Sequence, residues 1–170
     1  MRLSLSASSD AMIIPSLAAA MNYRLKQMKH VAAYKMTNGL SIEDLAREEE
    51  VLFHAKKSAE ISGLSPSSVG EFIQTQMDVG KIIQYRYCAE YIFTKQIKTQ
   101  SSIEYVREKI MEADVEILNL ISLKLYAGPG FSNFEKNKLI ITLHEKHMEP
   151  LEKEYLASSI LRVDRDLRDL

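Results

Sequence analysis

Two cations of this sequence lie on a helix face whose other residues are apolar, where a buried binding site would need them. Each residue of an α-helix turns the chain by about 100°. Six residues therefore share one narrow stripe: Leu17, Met21, Arg24, Met28, Val31 and Lys35. Arg24 and Lys35 are about 16 Å apart along the axis, so they point the same way without touching. Burying a charge costs several kcal/mol unless a partner meets it, so both need one.

A second cluster of charges begins the next predicted helix. After the turn signal Asn38-Gly39, Ser41 and Asp44 have the spacing of a capping box, with Asp in place of the usual Glu or Gln. The inner arc of this helix combines charges of both signs with one apolar residue: Asp44, Arg47, Glu48 and Val51. Taken alone, Arg47 and Glu48 are also typical of a solvated face with helical ion pairs. Repetition of such clusters on several helices weakens that interpretation.

Polar residues also interrupt the apolar stripes of the third and fourth predicted helices. The inner stripe of the third is Ile73, Met77, Gly80, Gln84, Cys88 and Tyr91. Gly80 leaves a hole one turn before the amide of Gln84, which a ligand could fill; close helix packing and a core glutamine bonded to its neighbours are the alternatives. The stripe of the fourth is Ile103, Arg107, Ile110, Asp114, Leu118, Ile121 and Leu125. Arg107 is therefore a third inward-facing arginine.

The pattern of breaks predicts an all-α fold, with about six helices, three of them long, in one domain over residues 15–170. Residues 1–14 are predicted to be a loose lead-in, and Pro15 to open a helix that ends near Asn38. The later helix boundaries are predicted as follows: Ser41 to Gly63, Ser65-Pro66 to about Gln96, a start at Ser101 or Ser102, a stop at Gly128-Pro129-Gly130, a capping box at Ser132 and Glu135, and a kink or split at Pro150.

Composition excludes several classes of function. A net charge of −1 and a pI near 6.4 provide no basic surface for nucleic acid, and no apolar run is long enough to cross a membrane. The single cysteine, Cys88, is predicted to be a buried hydrophobic residue rather than a nucleophile. His144 and His147 lack the other residues of a metal-binding motif, and we expect them on the surface.

The N-terminal residues 1–17 contain too many polar residues for the apolar segment of a signal peptide. The sequence therefore leaves two cellular locations open. The chain is either a cytoplasmic protein or the processed form of an exported one.

Together, the inward polar groups indicate a small dianionic ligand. They are four cations, one carboxylate and one neutral amide: Arg24, Lys35, Arg47, Arg107, Glu48 and Gln84. Four cations around one carboxylate are too many for a structural salt bridge, whereas two separated carboxylates on a compact ligand would match them through charge-assisted hydrogen bonds. No Ser or Cys with a histidine base and no phosphate loop accompanies them. The implied chemistry needs no covalent step.

These residues resemble the chorismate mutases of the all-helical type, most closely the exported subclass whose site lies within one chain. The resemblance rests on the spacing of the charged residues from Arg24 to Glu48 and on three segments: IEDLAREEEVL at 42–52, FIQTQMDVGKIIQYR at 72–86 and REKI at 107–110. It extends from about Pro15 to Leu125; the last third of the chain matches in helical character only.

The resemblance implies an activity and a role for each residue. Chorismate would rearrange to prephenate by a pericyclic shift, with no cofactor and no metal. Arg24 and Arg107, with Arg47, would bind the substrate carboxylates. Lys35 and Gln84 would face the ether oxygen of the breaking bond, and Glu48 the ring hydroxyl. The implied binding set is Arg24, Lys35, Asp44, Arg47, Glu48, Gly80, Gln84 and Arg107.

One departure from the family pattern lies at Gly80, where members tend to have Ser or Thr, so a hydroxyl contact to the substrate is missing. The resemblance also implies a homodimer with a complete site in each chain and a periplasmic or secreted location. The alternative function is a helical module that binds a small dianion or a partner without turnover.

Overall fold

Seven α-helices form the regular structure of the computed structural model, which describes residues 7–97 and 101–166. They are α1 (Ala7–Lys26), α2 (Met28–Thr37), α3 (Leu45–Ile61), α4 (Pro66–Thr94), α5 (Ile103–Ala127), α6 (Asn133–Thr142) and α7 (Pro150–Ile160). Within those residues the β-type pairing is one isolated bridge, between Leu64 and Arg165. The predicted all-α fold is confirmed.

Helices α1 and α2 are separated by one residue, Gln27, and counting them as one helix leaves the six that the sequence predicts. At the break the backbone N–H of Gln27 donates to the carbonyl of Arg24, one residue closer than in an α-helix. The carbonyl of Tyr23 thereby loses its helical partner, and the buried side-chain amide of Gln27 donates to it instead, at 3.1 Å. Gln27 therefore stabilises the slight break that follows Arg24.

The prediction that Pro15 opens the first helix is wrong, because α1 begins at Ala7 and contains Pro15. Proline inside a helix removes one backbone hydrogen bond and crowds the preceding turn. Ile13 and Ile14, in that turn, are nevertheless 5% and 6% exposed, so burial of apolar surface keeps it helical. Residues 1–6 of the predicted lead-in lie outside the described residues, and the position of its boundary with the domain stays a prediction.

The predicted start of the second helix at Ser41 is also wrong, since α3 begins at Leu45 with Asp44 as its N-cap. The Asp44 carboxylate accepts from the backbone N–H of Arg47 at 3.1 Å, which is the role that the capping-box prediction assigned to Ser41. The predicted end of this helix at Gly63 is confirmed. Gly63 has a φ of 69°, and its N–H donates to the carbonyl of Glu60 beside a Leu64–Ala59 bond, the Schellman pattern that ends many helices at glycine.

The remaining predicted helix starts are confirmed. Ser65 caps α4 with Pro66 in the first helical position, and Ser102 caps α5. Ser132 and Glu135 form a reciprocal capping box that begins α6. Pro150 splits the final helical segment and opens α7, because its missing N–H is no loss in the first turn of a helix.

The 29-residue helix α4 runs through the middle of the bundle and packs against α2, α3 and α7, while α1 packs against α5. Phe72, Ile73 and Ile83 of α4 have no exposed surface. Fully burying a side chain of this kind contributes about 1.5 to 3 kcal/mol to folding. No helix in the described ranges combines the length and apolar character that crossing a bilayer requires.

The last third of the chain contributes apolar residues to the common core and is also joined to α4 by polar contacts. Arg86 of α4 forms two 2.9 Å hydrogen bonds with the carboxylate of Glu152 on α7. His144 is exposed, as predicted, but His147 is half-buried: its ring lies edge-on against Tyr87 and its Nε2 is 2.5 Å from a Glu90 carboxylate oxygen. The surface prediction for His147 is therefore wrong, because this loop folds back onto α4.

Candidate active site

One cavity of about 100 Å³ gathers every residue that the sequence marked as a site residue. Its lining includes Arg24, Lys35, Asp44, Arg47, Glu48, Gly80, Gln84 and Arg107. These residues come from α1, α2, α3 with its cap, α4 and α5 of the same chain. Residues of one chain thus line the cavity without a contribution from a second copy.

Arg24, in the last turn of α1, is 3% exposed and is held by two other helices. Its Nε donates to Asp114 of α5 at 2.6 Å, and its Nη1 donates to the carbonyl of Gln76 of α4 at 3.4 Å. The side chain of Gln76 also donates to the same Asp114 oxygen, at 3.3 Å. The guanidinium at the cavity wall is therefore anchored from behind.

Lys35 is 8% exposed, and its ammonium donates to the carbonyl of Ile42 at 2.5 Å. Desolvation lowers the pKa of Lys35 below the usual lysine value. The carboxylate of Asp44 opposes this shift, whereas the charge of Arg107 adds to it. An ammonium that has lost its water is a stronger electrostatic donor toward a bound anion than an exposed one.

Asp44 connects the start of α3 to Arg107 of α5. One carboxylate oxygen caps α3, and the other lies 4.0 Å from Nη2 of Arg107, whose side chain is 38% exposed. Arg47 also lines the cavity, but its Nη1 donates at 2.6 Å to the exposed carboxylate of Glu50, one turn along α3. Arg47 and Arg107 are the more exposed cations, so they have more freedom to turn toward a ligand than Arg24 has.

Glu48 is paired with Lys81 of α4, a residue that the sequence interpretation did not include. The Lys81 ammonium lies 3.2 Å from carboxylate oxygens of both Glu48 and Glu43, and 3.4 Å from Asp78. Burial by itself would lower the pKa of Lys81, but its hydrogen bonds to Glu43 and Glu48 outweigh burial and raise it. Lys81 therefore stays charged and holds the Glu48 carboxylate against α4.

The space beside Gly80 is filled by Met28 of α2. A Cβ at Gly80 would lie 3.0 Å from the Met28 sulfur, closer than ordinary van der Waals contact. Close packing against Gly80, one of the two alternatives to a hole filled by a ligand, thus matches the structure better than such a hole does. The same sulfur lies 3.5 Å from Nε2 of Gln84, while Oε1 of Gln84 is buried and has no hydrogen-bond partner among the described residues.

A larger cavity of about 350 Å³ lies next to this one, between α3 and α5. Four residues line both cavities: Arg47, Val51, Arg107 and Ile110. Asp114 lines only the larger cavity and Arg24 only the smaller, so this ion pair stands between them. Movement of the Arg47 and Arg107 side chains would therefore enlarge the space available to a ligand.

Sequence reasoning missed three polar residues that organise the site: Lys81, Gln76 and Asp114. Asp114 carried a usable signal, since it lies on the predicted inner stripe of α5, two turns after Arg107. Lys81 lies one turn after the buried Met77, a spacing that also placed it near the inner face. Gln76 had no such signal, because nothing in its spacing indicates a partner on another helix.

The charges around the smaller cavity suit an anionic ligand. Its lining contains five cations, Arg24, Lys35, Arg47, Lys81 and Arg107, and two carboxylates, Asp44 and Glu48. The cations come from five different helices, one from each of α1 to α5, so a compact ligand with two separated carboxylates can be held from opposite sides. Fixed donors around a cavity can also stabilise negative charge that develops during a reaction.

Comparison with known proteins agrees with this chemistry. The family profile described as chorismate mutase type II matches residues 15–85. The chain is 35% identical over 159 residues to a monofunctional chorismate mutase from Enterobacter agglomerans, covering 93% of this chain and 87% of that protein. It is 32% identical over 147 residues to a secreted chorismate mutase from Yersinia pestis, covering 86% and 79% respectively.

Solved structures show the same fold. The crystal structure of the secreted chorismate mutase from Yersinia pestis superimposes with a TM-score of 0.79 at 31% identity, over 88% of this chain and 97% of that one. A chorismate mutase structure from Burkholderia phymatum has a TM-score of 0.73 at 17% identity, over 89% and 98%, a likeness of fold alone. The chain belongs to the chorismate mutase type II family, isomerases that convert chorismate to prephenate.

Proposed function

We propose that the smaller cavity is where this chain rearranges chorismate to prephenate, and that its cations act by orienting the substrate and stabilising charge. The observation that carries the proposal is that all eight residues implied by the family resemblance line one cavity and come from a single chain. A pericyclic shift needs no bond between protein and substrate. The protein contributes a compact reactive conformer and donors where electron density grows.

Three arginines are assigned to the two carboxylates of the substrate. Arg24 is the most rigid of them, because Asp114 and the Gln76 carbonyl hold its guanidinium from behind. Arg47 and Arg107 are more exposed and form ion pairs with Glu50 and Asp44, so they are free to exchange these partners for a substrate carboxylate. A planar guanidinium can bind a carboxylate through two parallel hydrogen bonds, which fixes orientation as well as position.

Lys35 and Gln84 are assigned to the ether oxygen, which gains negative charge as its bond breaks. One ammonium proton of Lys35 is used by the Ile42 carbonyl, which leaves two N–H donors. Gln84 has only a weak sulfur contact at Nε2, so its amide has no strong protein hydrogen bond to give up. Donors that are already in place need little rearrangement during the reaction.

Glu48 is assigned to the ring hydroxyl of the substrate. Its ion pair with Lys81 fixes its position, and a carboxylate has enough lone pairs to accept from both Lys81 and a hydroxyl. Asp44 acts beside it by capping α3 and by holding Arg107 near the cavity.

The activity is tested by following the loss of the conjugated-diene absorbance of chorismate with the purified chain. Arg107→Ala is expected to raise KM and to lower kcat/KM strongly, because the variant loses a charge-assisted carboxylate contact. Arg162→Ala removes an exposed arginine far from the cavity in sequence and is the matched control. Wild-type kinetics for a folded Arg107→Ala variant would show that Arg107 does not bind the substrate. If the wild-type chain binds chorismate but does not convert it, the alternative of a non-catalytic binding module is favoured.

We also propose that the chain is exported and forms a homodimer with one complete site per protomer. The secreted relative from Yersinia pestis supports export. For the dimer, the support is the family resemblance together with exposed apolar side chains along α4, among them Ile82, Tyr85 and Ile92. Light scattering of the purified protein and fractionation of native cells test the two statements. A monomer at micromolar concentration, or activity confined to the cytoplasm, would contradict them.

A further inference from the structure

The buried carboxylate of Asp114 forms an ion pair with Arg24, a residue that lines the proposed site. It binds Nε of Arg24 from outside the smaller cavity, because Arg24 lines that cavity and Asp114 lines only the larger one. The two residues are 90 positions apart in sequence and meet only through the packing of α1 against α5.

The geometry of the pair determines which edge of the guanidinium is used. An arginine has five N–H donors in one plane. Asp114 takes the Nε donor at 2.6 Å, and the carbonyl of Gln76 takes one Nη1 donor at 3.4 Å. Three donors, all on Nη1 and Nη2, remain for other partners. With Nε occupied, a bidentate contact with a second carboxylate is left the end-on edge, formed by Nη1 and Nη2.

Asp114 is itself held in place. It is 7% exposed, and the side-chain amide of Gln76 donates to the oxygen that binds Arg24. A buried carboxylate and a buried guanidinium each carry a desolvation cost of several kcal/mol, which neither can offset without the other. The pair is therefore unable to separate while the helices stay packed, and the plane of the guanidinium is fixed with it.

We propose that Asp114 is a positioning residue for this reaction: it fixes Arg24 so that the free Nη edge faces a carboxylate of the substrate. The inference rests on the proposed function, in which Arg24 binds that carboxylate. Asp114 touches no substrate and acts only through Arg24. An error of about 1 Å in the placement of such a group can cost about 100-fold in rate.

The test uses Asp114→Asn in the full chain, a change that keeps the size and one acceptor but removes the charge. We expect kcat/KM to fall about 10- to 100-fold, with a higher KM. In an Arg24→Ala background the same change should alter kcat/KM by less than about twofold, because its effect passes through Arg24. An unchanged kcat/KM, or an equal fall in both backgrounds, would overturn the inference.

Two controls separate positioning from stability. Glu135→Gln breaks the 2.6 Å ion pair between Glu135 of α6 and the buried Lys124 of α5, and should lower the melting temperature without raising KM. Asp114→Glu keeps the charge, and the larger cavity beside Asp114 has room for the extra methylene, so this variant should retain more kcat/KM than Asp114→Asn. Two results would indicate that Asp114→Asn acts by weakening the packing of the helices and not by misplacing Arg24. One is a raised KM in Glu135→Gln, and the other is an equally low kcat/KM in Asp114→Glu and Asp114→Asn.

A readout that does not depend on turnover distinguishes failure of this inference from failure of the proposed function. The Nε–H proton of Arg24, identified in NMR spectra by its loss in Arg24→Ala, should exchange slowly in the wild type and rapidly in Asp114→Asn. Slow exchange in both proteins would reject the anchoring role even if the wild type is active. An inactive wild type with the expected exchange difference would reject the function while leaving the anchoring of Arg24 in place.

Discussion

Replacing Lys35 with methionine is expected to lower kcat by about 100- to 1,000-fold, the range found when one preorganised donor is removed from an oxyanion site. Methionine preserves the length of the side chain and its contacts with the cavity wall, so the main loss is the ammonium. In the proposed reaction this group faces the ether oxygen at the moment its bond breaks. The interaction is stronger in the transition state than in the ground state, so kcat should fall more than KM rises.

Stability is expected to change in the opposite direction. Because desolvation lowers the pKa of Lys35 in the folded protein, the charged form is disfavoured there relative to the unfolded chain. Lys35 therefore opposes folding at neutral pH, and the protein gains stability as pH rises from the folded pKa toward the usual lysine value. At neutral pH the Lys35→Met variant should melt at the same temperature as the wild type or at a higher one. Its stability should not show the rise with pH that the titration of Lys35 produces.

The assay compares steady-state kinetics and thermal melting of Lys35→Met with those of Lys26→Met, which changes an exposed lysine of α1. Lys26→Met should match the wild type in both measurements. A Lys35→Met variant with wild-type kcat would show that the ammonium does not act on the reacting oxygen. A variant that is slow because it melts far below the wild type would show that Lys35 is a structural residue.

The second large effect is expected from Gln84→Glu, which should make kcat depend on pH. A glutamate at this position offers an O–H donor to the ether oxygen only while its carboxyl group is protonated. Once ionised, it places a negative charge where the transition state already gathers one. The kcat of this variant should therefore fall as pH rises from mildly acidic values to above neutrality, whereas kcat of the wild type stays nearly flat over the same range.

Gln84→Met is the matched variant, because it removes the donor without adding a titratable group. It should be slow at every pH, which separates loss of the amide from repulsion by a carboxylate. Kinetics at about pH 5 and about pH 8 are sufficient to test the sign. If Gln84→Glu is as active as the wild type at the higher pH and no better at the lower, then Gln84 does not contact the reacting oxygen, and the assignment of the inner face of α4 is wrong.

Much of the fold was predictable because its signals are local. Ser65, Ser102 and Ser132 stand where helices begin, and Gly63 adopts the positive φ that ends α3. A cap or a C-terminal glycine acts within one turn of chain, so the sequence next to it contains the whole interaction. The error at Pro15 arose because distant packing overrode a local signal: the helix continues through the proline because Ile13 and Ile14 are buried.

For the site, the sequence by itself determined which charged residues face inward, since the helical period places Arg24, Lys35 and Arg107 on apolar stripes wherever the helices go. Only the tertiary structure decided their partners. Asp114 meets Arg24 across 90 residues, Lys81 meets Glu48 across 33, and Met28 occupies the space beside Gly80. The period of a helix fixes the direction of a side chain about its own axis, but the distance between two such side chains depends on how separate helices pack.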